Sequence, residues 1–277
     1  MQRVNKDGLN LEKENINIIK KTFPEAVENG KINFNMLRAI LGDEIDESKE
    51  KYQFSWKGKA KSIKIAQTPS TATLRPCEDK SKNWDTTENL YIEGDNLEVL
   101  KQLQKTYYGK IKMIYIDPPY NTGNDFVYND SFSNSLENYK EQTNQSASSN
   151  PESNGRFHTD WLNMMYPRLL LARKLLTDDG VIFISIDDKE VGNLRKICDE
   201  IFGENNFIND LIWQKKFSRA NDATYFSTMH DHILCYCKEN ILSSSNGWKI
   251  GLLPRGDEIP DGYSNPDNDE RGVWTSV

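Results

Sequence analysis

The sequence predicts an α/β fold with a mostly parallel sheet covered by helices. Residues 89–240 alternate between short apolar runs, typical of buried strands, and stretches whose apolar residues recur every three or four positions, typical of helices. This alternation favours parallel strands joined by helical crossovers. At 277 residues, the chain is long enough for one or two domains with a sizeable core.

The first part of the chain predicts a small helical region followed by a strap. Residues 9–41 have the apolar spacing of two short helices, whereas residues 66–88 are rich in Thr, Ser and Pro and lack periodicity. We therefore divide the chain into an N-terminal region with its strap at 1–85, a catalytic domain at 86–240 and the start of a further domain at 241–277.

Within the catalytic domain the pattern begins with strand, helix, strand. The predicted elements are a strand at 90–93, a helix at 96–105, a strand at 111–116, a helix at about 161–176, a strand at 181–186, a helix ending near 202, and strands near 211–213 and 233–236. Residues 121–156 are polar, and a loop of this length is typical of a lid or a binding loop.

Composition restricts the location and the partners. Hydrophobic residues make up 36% of the chain and its net charge is −7, typical of a polar globular protein. No run approaches the roughly 20 apolar residues that cross a bilayer, and the polar N-terminus does not resemble a signal peptide. We expect a cytoplasmic location and no membrane partner. Four scattered cysteines without a CxxC pair predict reduced thiols.

The strongest candidate for a site is Asp117-Pro118-Pro119-Tyr120, directly after a predicted strand. Ligands of open α/β sheets bind beyond the carboxyl ends of strands, so a carboxylate at Asp117 is well placed. Methylation of an exocyclic amino group is favoured by acceptors that hold both N–H groups and localise the nitrogen lone pair. The Asp117 carboxylate and the Pro118 carbonyl are two such acceptors, and consecutive prolines make the turn rigid. The alternative is a strand-ending turn with no further role.

Tyr120 offers a flat ring on which an extruded base can stack. A second candidate surface is basic and aromatic: Lys215, Lys216 and Arg219 lie beside Trp213 and Phe217, although solvated surface charges explain such a cluster equally well.

Four stretches make the sequence similar to a known family. They are TPSTATLRPC at 68–77, LYIEGDNLEVLKQLQKTYYGKIKMIYIDPPYNTGNDFVYNDSF at 90–132, HTDWLNMMYPRLLLARKLLTDDGVIFISIDD at 158–188 and HDHILCYCK at 230–238. Across most of residues 52–240 the chain resembles the methyltransferase (Mod) subunits of type III restriction-modification systems, in the permuted beta group of amino-methyltransferases. The resemblance implies a Rossmann-like fold dependent on S-adenosylmethionine, adenine as the target base, and double-stranded DNA, a restriction (helicase-nuclease) subunit and a second copy of the chain as partners.

The resemblance also implies roles for single residues. Asp117, Pro118, Pro119 and Tyr120 are the expected catalytic residues, and Asp95, Asn96 and Asp117 the expected contacts of the methyl donor. Tyr120, Asn121, Lys215, Lys216 and Arg219 are the expected contacts of nucleic acid. A helix cap explains Asp95 nearly as well as a donor contact.

The sequence departs from this family in one respect. Its donor site includes a Phe-x-Gly-x-Gly turn, and none of the sixteen glycines forms a Gly-x-Gly. We expect the chain to stop before that motif, to leave the sheet incomplete, and to be weakly stable and inactive by itself. Two alternatives stay open: a non-catalytic remnant that binds DNA or a restriction subunit, and a cytosine-N4 or RNA amino-methyltransferase.

Other motifs are set aside. Pro76-Cys77 lies in the strap and not at a strand end. Cys235 and Cys237 alternate along a strand near His230 and His232, which favours small buried residues over metal ligands, so no metal site is predicted. Asp187-Asp188 is typical of a helix start.

Overall fold

A computed structural model describes residues 10–41, 53–122, 157–218, 225–251, 263–266, 268 and 270. The elements in these residues are α1 (Leu11–Thr22), β1 (Val27–Glu28), β2 (Lys31–Ile32), α2 (Phe34–Leu41), α3 (Lys59–Gln67), α4 (Asn96–Tyr107), β3 (Ile111–Ile116), α5 (Phe157–Leu175), β4 (Leu176–Ile186), α6 (Val191–Phe202), β5 (Phe207–Gln214) and β6 (His230–Cys237). Helices therefore alternate with strands from α4 to β5, and the predicted α/β class is confirmed.

The main sheet has four strands in the order β3-β4-β6-β5. β3 pairs with β4 in parallel, whereas β6 pairs antiparallel with both β4 and β5. The described sheet is thus mixed, which corrects the prediction of a mostly parallel one. Apolar periodicity identifies strands but not their direction, and here β6 returns between β4 and β5.

This topology brings three strand ends to one edge of the sheet. The parallel strands β3 and β4 end there at Ile116 and Ile186, and the antiparallel strand β6 begins there at His230, with Ile186 opposite His232. We call this the Asp117 edge, because Asp117 is the first residue after β3.

The core lies between this sheet and the helices α5 and α6. Trp161, Leu169, Ile182, Ile184 and Leu194 each have 0% of their surface exposed. Burying one such side chain contributes about 1.5–3 kcal/mol to the free energy of unfolding. The packing of these side chains between helices and sheet is therefore the main stabilisation of α5 and β4. None of the described helices is long and apolar enough to span a membrane.

The helix α3 packs on α5 through the side chain of Asn163. Its Oδ1 accepts hydrogen bonds from Trp56 Nε1 at 2.8 Å and from Ser62 Oγ at 3.1 Å, and its Nδ2 donates to the Lys57 carbonyl at 3.2 Å. Gly58, with φ +107°, lies so close that a Cβ there would be 2.6 Å from Asn163 Oδ1. Residues 53–67 therefore share the core of the catalytic domain, although the boundary at 85/86 placed them outside it; that division stays a prediction.

One predicted strand is absent from the described part of the chain. Residues 90–93 form no strand, and Leu90 and Tyr91 are 71% and 91% exposed. A strand requires a neighbour to satisfy its backbone hydrogen bonds, and no described strand lies beyond β3. Met113 and Tyr115 on β3 are correspondingly 59% and 55% exposed, because β3 is an edge strand of the described sheet.

Candidate active site

The Asp117-Pro118-Pro119-Tyr120 turn follows β3 directly at the Asp117 edge. Asp117 is exposed, Pro118 to Tyr120 are half-buried, and Asn121 is fully buried. The turn thus runs from the surface into the protein, with its carboxylate on the open side.

A buried tryptophan fixes the second proline of the turn. Trp161 Nε1 on α5 donates a hydrogen bond of 2.7 Å to the Pro119 carbonyl, and Trp161 itself is 0% exposed. Among the described residues, no hydrogen bond is made to the Pro118 carbonyl. One carbonyl of the turn is therefore used for anchoring, whereas the other remains an acceptor for a substrate.

Asn121 anchors the end of the turn. It adopts the left-handed conformation with φ 61°, and its side-chain amide donates to Glu190 Oε1 at 2.5 Å and to the Phe157 carbonyl at 3.3 Å. The side chain is 0% exposed. A short polar side chain next to a buried carboxylate is thus held inside the protein, and the contact of Asn121 with nucleic acid stays a prediction.

Glu190, which the sequence analysis missed, organises this region. Its carboxylate is 0% exposed and accepts from Asn121, from Asn193 Nδ2 at 2.8 Å and from His158 Nδ1 at 2.7 Å. It thereby connects the turn after β3 with the starts of α5 and α6. The only signal in the sequence is an acidic residue directly before α6, where a solvated helix cap is the ordinary interpretation.

The hydroxyl of Tyr120 lies near the carboxylate of Asp117 and the hydroxyl of Ser185. Burial, together with the nearby Asp117 carboxylate, raises the pKa of Tyr120 above its ordinary value, so the phenol stays protonated at neutral pH.

Asp95 and Asn96 lie at the start of α4. Asp95 Oδ1 accepts from the Glu98 backbone N–H at 2.9 Å, and Asn96 Oδ1 accepts from Arg168 Nε at 2.6 Å. The helix cap considered for Asp95 is thus present. The described residues supply one polar edge for a donor at Asp95 but no glycine turn and no enclosing wall. They do not form a complete S-adenosylmethionine site, and contact with the donor stays a prediction.

The basic cluster is described in part. Lys215 Nζ pairs with Asp231 Oδ1 at 2.5 Å, and Lys216 is exposed. Trp213 and Phe217 beside them are 62% and 90% exposed. Arg219 lies outside the described residues.

The remaining motifs from the sequence are the cysteines and the Asp187-Asp188 pair. Cys235 and Cys237 are buried, as expected of small strand residues, and Cys77 is exposed. Asp187 does not cap α6: its Oδ1 accepts from the Lys189 backbone N–H at 2.9 Å, and the residue before the helix is Glu190.

Residues 111–274 match a protein family described as DNA methylase. The chain belongs to this family. Within it, the chain is 38% identical over 258 residues to the Mod subunit of the type III restriction-modification enzyme EcoP15I of Escherichia coli, and 39% identical over 247 residues to the EcoPI Mod subunit of Escherichia phage P1. These alignments cover 85% and 84% of the chain but 38% of each relative, so the chain spans well under half of the relatives' length.

Two solved methyltransferase structures are also similar to this chain. A complex of M1.HpyAVI with SAM is 14% identical, with a TM-score of 0.34, and the alignment covers 67% of this chain and 70% of that one. The PvuII cytosine-N4-specific DNA methyltransferase is likewise 14% identical, with a TM-score of 0.33 and coverage of 58% and 57%.

Proposed function

We propose that this chain carries the target-base site of a site-specific DNA methyltransferase subunit of a type III restriction-modification system, which transfers a methyl group from S-adenosylmethionine to the amino group of adenine. The observation that supports it best is the anchoring of the Asp117 turn. Trp161 and Glu190 hold Pro119 and Asn121, whereas Asp117 is exposed and no described residue donates a hydrogen bond to the Pro118 carbonyl. The family of the chain and its type III Mod relatives agree with the proposal.

The turn favours reaction at an amino nitrogen. The lone pair of that nitrogen is delocalised into the purine ring, which makes it a poor nucleophile. When Asp117 and the Pro118 carbonyl each accept one N–H, the lone pair is localised and directed away from both acceptors. Acceptors that are fixed before the substrate arrives need no reorganisation during the reaction, and Trp161 and Glu190 provide that fixation. The methyl donor supplies an electrophilic methyl group on a sulfonium.

Tyr120 holds the base beside the two acceptors. Extruding a base from duplex DNA costs a few kcal/mol, and stacking on an aromatic ring returns about 1–3 kcal/mol. The hydroxyl of Tyr120 lies near Asp117 in the described conformation. We infer that the ring swings off the carboxylate when the adenine enters and that the amino group takes the place of the hydroxyl.

We propose that the exposed basic and aromatic cluster binds the DNA backbone. Because the net charge of the chain is −7, phosphate contacts must be local. Lys216 and Arg219, with Lys215 released from Asp231, are the cations we propose, and Trp213 and Phe217 supply apolar contact. A restriction subunit and a second copy of the chain are the proposed protein partners, and the cytoplasm the proposed compartment.

The test is a substitution in the complete protein that contains this chain. Asp117→Ala should reduce transfer of labelled methyl groups to DNA by at least about 100-fold, because one of two preorganised acceptors is lost. DNA affinity should change by less than about threefold, since Asp117 makes no phosphate contact. Asp85→Ala, at an exposed position in the strap, is the matched control.

Mass spectrometry of the digested DNA identifies the product. N6-methyladenine supports the proposal, whereas N4-methylcytosine or methylated RNA would replace its substrate. Wild-type protein that binds DNA without methylating it would identify a remnant that only binds. An Asp117→Ala variant with normal activity would remove the carboxylate from the mechanism.

A further inference from the structure

A second group of side chains at the Asp117 edge has no part in the proposed methylation. It consists of Asp188, His230 and His232, whose ligand atoms all lie within 4.8 Å of one another. Asp188 lies just after β4, and the two histidines lie on one face of β6, two residues apart. The pairing of Ile186 with His232 brings the two elements together. We propose that these three residues bind a divalent transition-metal ion of the Zn²⁺ class.

The distance between two of the ligand atoms fits such an ion. His232 Nε2 lies 3.1 Å from Asp188 Oδ1. Two ligand atoms at about 2.0–2.2 Å from a tetrahedral Zn²⁺ lie about 3.3–3.5 Å apart, so a small outward movement admits the ion between them. His230 is half-exposed at the start of its strand, the centre of its ring lies 5.1 Å from that of His232, and one of its ring nitrogens lies within 4.8 Å of the other two ligand atoms.

A further carboxylate orients His232. Asp210 Oδ2 on β5 lies 2.8 Å from His232 Nδ1, while Nε2 of the same ring faces Asp188. When Nδ1 carries the proton and donates it to Asp210, Nε2 presents its lone pair to the metal. A carboxylate bound to the far nitrogen of a ligating histidine is the usual support of a metal site, because it fixes both the tautomer and the ring.

The donor atoms select the class of metal. Two imidazole nitrogens and one carboxylate oxygen suit Zn²⁺, Ni²⁺ or Cu²⁺, whereas Ca²⁺ and Mg²⁺ require more oxygen ligands. Three protein ligands leave a fourth position for water. The bound ion would join the turn after β4 to the start of β6 at the edge that also carries Asp117, and so stiffen the approach to that edge.

In the structure the ring of His232 bridges Asp188 and Asp210 by hydrogen bonds. This bridge does not include His230, whereas the proposed metal site does. Substitution of His230 therefore separates a metal site from a purely structural bridge.

The test uses the 277-residue chain without a polyhistidine tag, carrying Cys77→Ser to remove the exposed thiol and freed of metal by dialysis against a chelator. Calorimetry with Zn²⁺ should show one equivalent bound, and Co²⁺ should give the visible absorption bands of a four-coordinate nitrogen-oxygen site. His230→Gln and Asp188→Asn should each weaken Zn²⁺ binding at least about 10-fold, and Asp210→Asn should weaken it about 10–100-fold.

The chain has three histidines, so His158→Gln is the matched control and should keep the wild-type affinity. Circular dichroism shows whether each variant is folded, and the same Zn²⁺ concentration should raise the Tm of the parent chain more than that of His230→Gln. The proposal is overturned if the parent binds no stoichiometric Zn²⁺, or if His230→Gln binds as tightly as His158→Gln.

Discussion

Replacement of Glu190 by alanine is expected to destabilise the whole chain, because this buried carboxylate joins three elements. It accepts hydrogen bonds from Asn121, Asn193 and His158. The variant leaves the Asn121 amide, which is 0% exposed, without its shortest hydrogen bond. An unsatisfied buried donor costs about 1–3 kcal/mol, and removing one partner from a buried charged network costs about 3–5 kcal/mol in all.

Urea denaturation of the 277-residue chain measures this loss. With a slope of about 3 kcal/mol per M urea, a cost of about 3–5 kcal/mol lowers the midpoint by about 1–2 M. Glu190→Gln, which keeps the shape and one acceptor oxygen, should lower it by about half as much. Glu204→Ala is the control, since Glu204 is exposed near the end of α6. If Glu190→Ala and Glu204→Ala unfold at the same urea concentration, the buried network does not stabilise the fold.

Three further predictions concern anchoring, acidity and access. Trp161→Phe should destabilise the chain by about 1–3 kcal/mol, because the Pro119 carbonyl loses its hydrogen-bond donor. Thermal and urea unfolding measure the loss of stability, and an unchanged midpoint would contradict the anchoring of the turn by Trp161. Burial and the hydrogen bond to Glu200 raise the pKa of Tyr166. The contribution of Tyr166 to stability is thus complete below the ordinary tyrosine pKa of about 10 and is lost as the pH rises above it. The free energy of unfolding of Tyr166→Phe should therefore fall less steeply than that of the parent chain between about pH 9 and 11. A thiol reagent should modify Cys77 alone in the folded chain, because the other cysteines are buried; rapid reaction of two or more thiols would show that the core opens.

The local pattern of the sequence predicted the helices and strands well but not which strands pair with one another. The strand Ile111–Ile116 was predicted with its exact bounds, because a run of apolar residues ended by Asp-Pro-Pro leaves little choice. The strand at 90–93 was predicted wrongly from a similar apolar run. Local composition cannot show whether a hydrogen-bonding neighbour is present, and a run without one stays unpaired.

The candidate site shows the same contrast between what neighbouring residues predict and what contacts between distant residues determine. Asp117 and Tyr120 could be predicted as site residues because the motif that suggests their chemistry consists of consecutive residues, and their role stays a prediction. Glu190 was not found, because its contacts with Asn121 and His158 join positions 69 and 32 residues apart. His232 was considered as a possible ligand together with cysteines, yet its actual neighbours are Asp188, in the turn after β4, and Asp210, on β5. Such contacts follow from strand order, which apolar periodicity does not encode.

The docking of α3 on α5 has a consequence during synthesis. Asn163, the residue that holds Trp56 and Ser62, is made about 100 residues after them. At about 5–20 residues per second, a ribosome needs on the order of 10 s to produce the partner of α3. Throughout this interval the apolar side of the newborn helix faces water or a chaperone, so slowing translation between the two segments should lower the yield of correctly folded chain.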